Sequence, residues 1–290
     1  MNSQPIPMLS GVRALADQYQ TWFCDVWGVV HNGVEHFPAP VAALVAHRRS
    51  GGRVVMLTNA PRPCAIIERQ LLDLGVDAEA FDVVVTSGDV TRDWLAGLGG
   101  RPVHHLGPER DWPLTQGLNL NLSSPETAQV ILCSGLVDDT VETPADYDEI
   151  LGAFAGRGLE MMCANPDIVV NRGGNMVYCA GALGRRYGEL GGAVHYAGKP
   201  HSPIYDLAMR RIAEIAGAPV DAAGILAIGD AGHTDIAGAS DYGLASLFTA
   251  NGIHRQEIYR ADGTPDPDQA AALFAGFRKP PVAMIHELAW

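Results

Sequence analysis

The chain has 290 residues, 47% of them hydrophobic, and a formal net charge of −13. That length and apolar content suffice for a large core and two domains. The acidic balance argues against a nucleic-acid or membrane-surface partner, each of which wants a basic face. It does not exclude a small anionic substrate, because a metal ion and a few local cations dominate the field of a site. No apolar run reaches membrane-spanning length, and Met1 to Ser10 lacks the basic and apolar regions of a signal peptide. The five cysteines are odd in number and show no C-x-x-C spacing, so reduced thiols in a cytoplasmic protein are expected.

Taken in order, the first informative stretch is Thr21 to Val30, an apolar run carrying one carboxylate, Asp25, with Gly28 three residues on. It reads as a buried strand of a parallel sheet with Asp25 at or just past its carboxyl end. In open α/β sheets ligands bind at that end. On its own, Asp25 reads equally well as a turn or helix-cap residue. His31-Asn32-Gly33 turns the chain, and Pro38 to Ser50 is a helix with proline in its first turn and Gly51-Gly52 as its stop. Arg53 to Leu57 is a second strand ending at Thr58-Asn59. A helix from Pro61 to Leu74 and a third strand, Phe81 to Val85, follow, and then a helix through Trp94. Strands alternating with helices at this spacing mean βαβ units.

The texture changes after the Gly99-Gly100 linker. Val103 to Gly192 holds short strand candidates at Val103–Leu106, Gln129–Cys133, Glu160–Cys163 and Met176–Cys179, with a helical stretch near Tyr147. It reads as an inserted α/β domain. The βα rhythm resumes at Val194-His195-Tyr196. Strands at Gly224 to Ile228 and Gly243 to Thr249 follow, the first ending at Gly229-Asp230.

Four polar clusters thus fall just past strand ends or at helix starts: Asp25, Thr58-Asn59, Lys199-Pro200, and Asp230 with Asp235. Two strand-end carboxylates can converge on one hard cation, and Mg²⁺ takes one or two protein carboxylates beside waters and phosphate oxygens. A hydroxyl, an amide and an ammonium supply donors for a phosphate. Each cluster alone reads equally as a cap, a surface cation or a turn. Their joint order does not.

The set resembles the haloacid dehalogenase superfamily of phosphotransferases, subclass IIA, which includes nucleotide, p-nitrophenyl phosphate, pyridoxal phosphate and phosphoglycolate phosphatases. The matching stretches are Asp25 to Gly28, Leu57-Thr58-Asn59, Gly198-Lys199-Pro200, and Gly229-Asp230 with Thr234-Asp235-Ile236. Ala164-Asn165-Pro166-Asp167 matches the subclass's cap signature, and Ala180-Gly181-Ala182-Leu183 is similar to the segment leading out of such caps. The resemblance implies a Rossmann-like parallel-sheet core over residues 1–100 and 193–290, and a substrate-selecting α/β cap over 101–192. It implies Asp25 as nucleophile, Thr58, Asn59 and Lys199 on the phosphate, and Mg²⁺ held by Asp25, the Trp27 carbonyl and Asp230, with Asp235 orienting the metal shell. The implied activity is Mg²⁺-dependent hydrolysis of a phosphomonoester or acyl phosphate through an aspartyl-phosphate. The expected partner is a small phosphorylated metabolite, with homodimerisation left open.

One position departs from the pattern. Family phosphatases carry a second aspartate two residues after the nucleophile, where this chain has Trp27. A positioned acid contributes ~10²–10⁴-fold, and an indole cannot transfer a proton. The chain is then expected to be a slow phosphatase, to use another acid such as His31, His233 or His254, or to favour a leaving group needing none. Alternatives are a weakened protein that binds a phosphorylated ligand, or a phosphotransferase on the same chemistry. Dehalogenation is disfavoured, because it needs no metal. The Asn171 to Asn175 loop, with its single cation Arg172, is a further candidate for a substrate's anionic tail, or simply a solvated connection.

Overall fold

The computed structural model describes residues 5–172 and 175–290. The first residues of the chain and Gly173-Gly174 of the candidate tail-binding loop lie outside that range. The strands in chain order are β1 (Met8–Leu9), β2 (Thr21–Cys24), β3 (Arg53–Thr58), β4 (Val83–Thr86), β5 (Pro102–Leu106), β6 (Asn121–Leu122), β7 (Val130–Cys133), β8 (Glu160–Cys163), β9 (Val169–Arg172), β10 (Asn175–Tyr178), β11 (Ala193–Tyr196), β12 (Ile225–Gly229), β13 (Ala245–Thr249) and β14 (Ala283–Ile285).

The chain divides into two compact units. The first comprises 1–58, 68–85 and 205–290. Its seven-stranded sheet has the order β1-β14-β13-β12-β2-β3-β4. β2 pairs in parallel with β3 on one side and β12 on the other. Every residue of β2 and β12 is buried. Both faces of such a strand are covered, which is why these strands read as unbroken apolar runs rather than as alternation. The Pro38–Arg49 helix packs on this sheet, and its His47 ring stacks on Trp22 with centroids 3.7 Å apart and planes 4° from parallel. Arg48 in its last turn reaches the Asp82 carboxylate at 2.6 Å. A separate cluster around Phe248, Phe274 and Ile236 fills the far side near β13 and β14.

The second unit comprises 59–67 and 86–204. Its five-stranded sheet has the order β11-β8-β7-β5-β6, parallel throughout. The strand at Val194-His195-Tyr196 belongs here, paired with β8. β9 and β10 form a separate antiparallel hairpin. One core lies around Phe154, Leu151 and Tyr187, and another around Leu95, Leu132 and Met162. The Ser87–Ala96 helix opens on a capping box: Thr86 Oγ1 accepts from the Asp89 N–H at 2.9 Å, and the Asp89 carboxylate accepts from the Thr86 N–H at 3.3 Å. None of the five cysteines forms a disulfide, and burial pushes the Cys133 thiol up to about 12. Among the described residues no helix is long and apolar enough to cross a membrane.

Candidate active site

The sheet order of the first unit reverses between β2 and β12. From β2 the chain runs outward through β3 and β4, and from β12 it runs the other way through β13. Ligands of open α/β sheets bind at such a point, outside the carboxyl ends of the strands. Asp25 follows β2 and Asp230 follows β12. The Asp25 N–H donates to the Ile228 carbonyl at 2.8 Å, which continues the ladder one residue past β2 and fixes the two strand ends together. Asp25, Asp230 and Asp235 are all buried, and one carboxylate oxygen from each lies within 4.8 Å of those of the other two.

Local chemistry builds this trio. Asp235 reaches it because Gly232–Ile236 forms a π-helical turn directly after the strand. Such turns are frequent at functional sites. The Asp235 carboxylate accepts from the Ala231 N–H at 3.1 Å, and Asp230 Oδ2 accepts from the Ile253 N–H at 2.9 Å. Gly28 has φ +86°, and a Cβ there would lie 2.5 Å from Asp230 Oδ2. The glycine three residues after Asp25 is thus required by backbone conformation and by the close approach of Asp230. Thr58 lies buried at the end of β3, the strand beside β2, two residues past the Met56 that pairs with Cys24.

Trp27 is half-buried, its ring against Gly33 and edge-on to His31 at 5.2 Å. His31 is buried and its Nδ1 accepts from the Gly33 N–H at 2.9 Å. Burial lowers its pKa to about 4. A ring held neutral with one nitrogen already accepting is not poised to protonate a leaving group. His254 is engaged similarly: its Nε2 accepts from the Gly232 N–H at 3.0 Å and its Nδ1 faces Glu257 at 3.2 Å. His233 is exposed.

The second unit holds the other expected residues. Lys199 is buried, and its N–H donates to Asn59 Oδ1 at 2.7 Å, while Asn59 Nδ2 donates to the Lys199 carbonyl at 3.0 Å. The same amide donates to Asp167 at 2.9 Å, which ties the Ala164-Asn165-Pro166-Asp167 stretch to Asn59. Two supporting groups escaped the sequence reading. Ser87 Oγ stands 2.7 Å from the Asn59 carbonyl and 2.6 Å from that of Ala164. Ile253 braces Asp230 through a main-chain N–H, which no side-chain pattern announces.

Residues 22–121 match the haloacid dehalogenase-like hydrolase family, and 196–275 match a second model, the HAD-hydrolase-like family. A solved haloacid dehalogenase-like hydrolase from Brucella suis is 44% identical, with TM-score 0.86 over 97% of this chain and 99% of that one. The 4-nitrophenylphosphatase of Thermotoga maritima is 21% identical, with TM-score 0.67 over 89% of this chain and 98% of that one. Glycerol phosphate phosphatase of Mycobacterium tuberculosis, solved with calcium, is 22% identical, with TM-score 0.67 over 94% of this chain and 72% of that one. The last two share the fold. Among curated proteins none matches. The chain belongs to the haloacid dehalogenase-like hydrolases.

Proposed function

We propose that the chain is a divalent-cation-dependent phosphatase acting on a small phosphorylated metabolite through an aspartyl-phosphate at Asp25. The observation that carries this reading is the buried trio Asp25, Asp230 and Asp235, mutually within 4.8 Å at the switch point. Carboxylates so close repel one another unless a cation or protons stand among them. An all-oxygen donor set suits a hard cation, with Mg²⁺ the natural choice where phosphate completes the shell. Asp25, the Trp27 carbonyl and Asp230 would hold it, and Asp235, fixed by the Ala231 N–H, would orient the shell. Bound there, the cation would supply neutralisation of phosphoryl charge. The solved relatives whose names mention nitrophenyl phosphate and glycerol phosphate support the same reaction class.

In the proposed reaction an Asp25 carboxylate oxygen bonds to phosphorus as the substrate's bridging oxygen leaves with the bonding pair. Water then attacks the aspartyl-phosphate, which releases inorganic phosphate and restores Asp25. Thr58, Asn59 and Lys199 hold the phosphoryl oxygens. The reciprocal bonds between Asn59 and the Lys199 main chain fix those two against one another, so little ordering is left to the moment of reaction. Trp27 offers the leaving group no proton, and neither does neutral His31. Substrates whose leaving group departs as a stable anion are therefore favoured, such as an acyl phosphate or an aryl ester.

The test is a screen of acyl, aryl and alkyl phosphates with Mg²⁺, joined to mass spectrometry of quenched protein. Phosphate trapped on Asp25, lost in Asp25→Asn, is the expected result. Absence of both turnover and a trapped adduct overturns the reading.

A further inference from the structure

The second unit carries a group of charges that the proposed chemistry does not use. Arg62, Arg110 and Arg172 come from three separate segments and surround two acids. Asp139 is buried and takes Arg172 through both carboxylate oxygens, at 2.9 and 3.2 Å, and Arg110 at 2.6 Å. Asp111 is 2% exposed and stands 3.9 Å from Arg62 Nε, beyond hydrogen-bond length. Burial raises Asp111 to about 6. The neighbouring Asp138 carboxylate is turned to Thr140. Three permanent cations thus face two buried acids, Asp139 and Asp111, with the exposed Asp138 acting on Arg110 from outside, in a chain that is acidic overall.

Arg62 is the anomaly. Its side chain is 28% exposed, and among the described residues its guanidinium donates no hydrogen bond. Its Nε is buried without a partner. Burial pulls its pKa down, Asp111 opposes this, and the charges of Arg110 and Arg172 push it further down, so the three guanidiniums sense one another. Holding like charges together with one left unsatisfied costs stability, and a site for an anion is where such a cost is repaid.

The group lies beside the phosphate-side residues of its own unit. Arg62 stands three residues after Asn59, so their Cα atoms are at most about 11 Å apart. Cys179 feels Asp167, the partner of Asn59, together with Arg172, Asp139 and Arg110, which links the two groups through one residue.

We propose that Arg62, with Arg110 and Arg172, binds a second oxyanion of a ligand whose phosphoryl group is held by Asn59 and Lys199. The preferred substrate class is then a phosphate ester carrying an additional carboxylate or phosphoryl group. A planar guanidinium with unused N–H groups suits either. This rests on the phosphatase reading for the identity of the first group.

The experiment compares matched pairs: 3-phosphoglycerate against glycerol 3-phosphate for a carboxylate, and fructose 1,6-bisphosphate against fructose 6-phosphate for a phosphoryl group. In at least one pair, wild type should favour the doubly anionic member by about tenfold or more in kcat/KM, the scale of a hydrogen bond to a charged group. Arg62→Gln should bring that ratio close to one, chiefly through KM. A purely structural Arg62 would lower both members alike and leave the ratio standing, which overturns the proposal. Ratios near one in wild type for both pairs overturn it too. Calorimetric titration of the same pairs onto Asp25→Asn reads the contact without turnover. If no phosphate is hydrolysed, that failure belongs to the phosphatase reading, and the binding ratio in Asp25→Asn with and without Arg62→Gln decides this one.

Discussion

The Asp25 N–H and the Ile228 carbonyl are joined at 2.8 Å, which locks the end of one strand to the end of another two positions before Asp230. Relative placement of Asp25 and Asp230 is therefore a property of the sheet and not of loop conformation. A site built on paired strands tolerates little error, and its variants should report on charge rather than on mobility.

The first prediction concerns the cation. Asp235→Asn keeps the size of the side chain and removes its charge. Mg²⁺ affinity measured calorimetrically should fall by about 10–100-fold, as for partners that orient a metal shell. Asp230→Asn should lose more. Affinity equal to wild type in both variants would remove them from the site.

Gly28 should not tolerate a side chain. Its positive φ and the 2.5 Å approach to Asp230 Oδ2 act together. Gly28→Ala should lose about 1–3 kcal/mol in denaturant unfolding, the range for a residue forced into a sparsely populated conformation. Mg²⁺ affinity should weaken with it, because the acid has to move. An unfolding midpoint and an affinity both matching wild type would contradict the geometry.

Trp27→Asp supplies a carboxyl proton donor at a position where this chain carries an indole. Turnover of alkyl phosphates should rise, by up to ~10²-fold, the lower end of what a positioned acid contributes. Hydrolysis of p-nitrophenyl phosphate should change little, since its leaving group departs as a stable anion. A parallel change on both substrates would place the limit elsewhere than in proton transfer. Loss of the indole that packs on Gly33 and His31 works against the gain.

Stability should fall with acid, and His47 should account for a separable share of the fall. His47 is 1% exposed against Trp22, and burial lowers its pKa to about 4, below the usual 6.5. A histidine lowered on folding contributes stability that is complete above pH 6.5 and is lost as pH falls toward 4. The contribution is at most about 3.4 kcal/mol, from 1.36 kcal/mol per pKa unit. Asp111, raised to about 6 by burial, acts in the opposite sense: its contribution is present below the unfolded value and is lost as pH rises through 6. Comparing wild type with His47→Phe isolates the ring. The variant should lose less stability between pH 7 and 4.5. Identical slopes would refute the assignment.

Much of the site was legible because parallel strands announce themselves. Buried on both faces, β2, β3 and β12 appear as apolar runs, and a carboxylate or hydroxyl at the end of such a run stands out. What was not legible depends on contacts that leave no local pattern. Asn59 bonds to Lys199 across 140 positions. Arg62 and Arg110 look like ordinary surface cations until the fold gathers them with Arg172, the loop cation that sequence could mark but not connect. β1 and β6 have two residues each, too few for any periodicity to show. Only the fold reveals that His31 and His254, two of the stand-in acids suggested near Trp27, already accept main-chain hydrogen bonds.

The register that sets Thr21 beside Ile225 also governs when the site can exist. Everything between those strands, including the whole of the second unit, is synthesised before β12. Pairings of such long sequence separation form slowly and late. While the chain is still on the ribosome, β2 has β3 for a neighbour and an open edge where β12 belongs. During that interval Asp25 stands without Asp230 or Asp235, and the emerging polypeptide lacks the carboxylate trio. The edge left bare in the meantime is the place where a stalled or truncated product would aggregate.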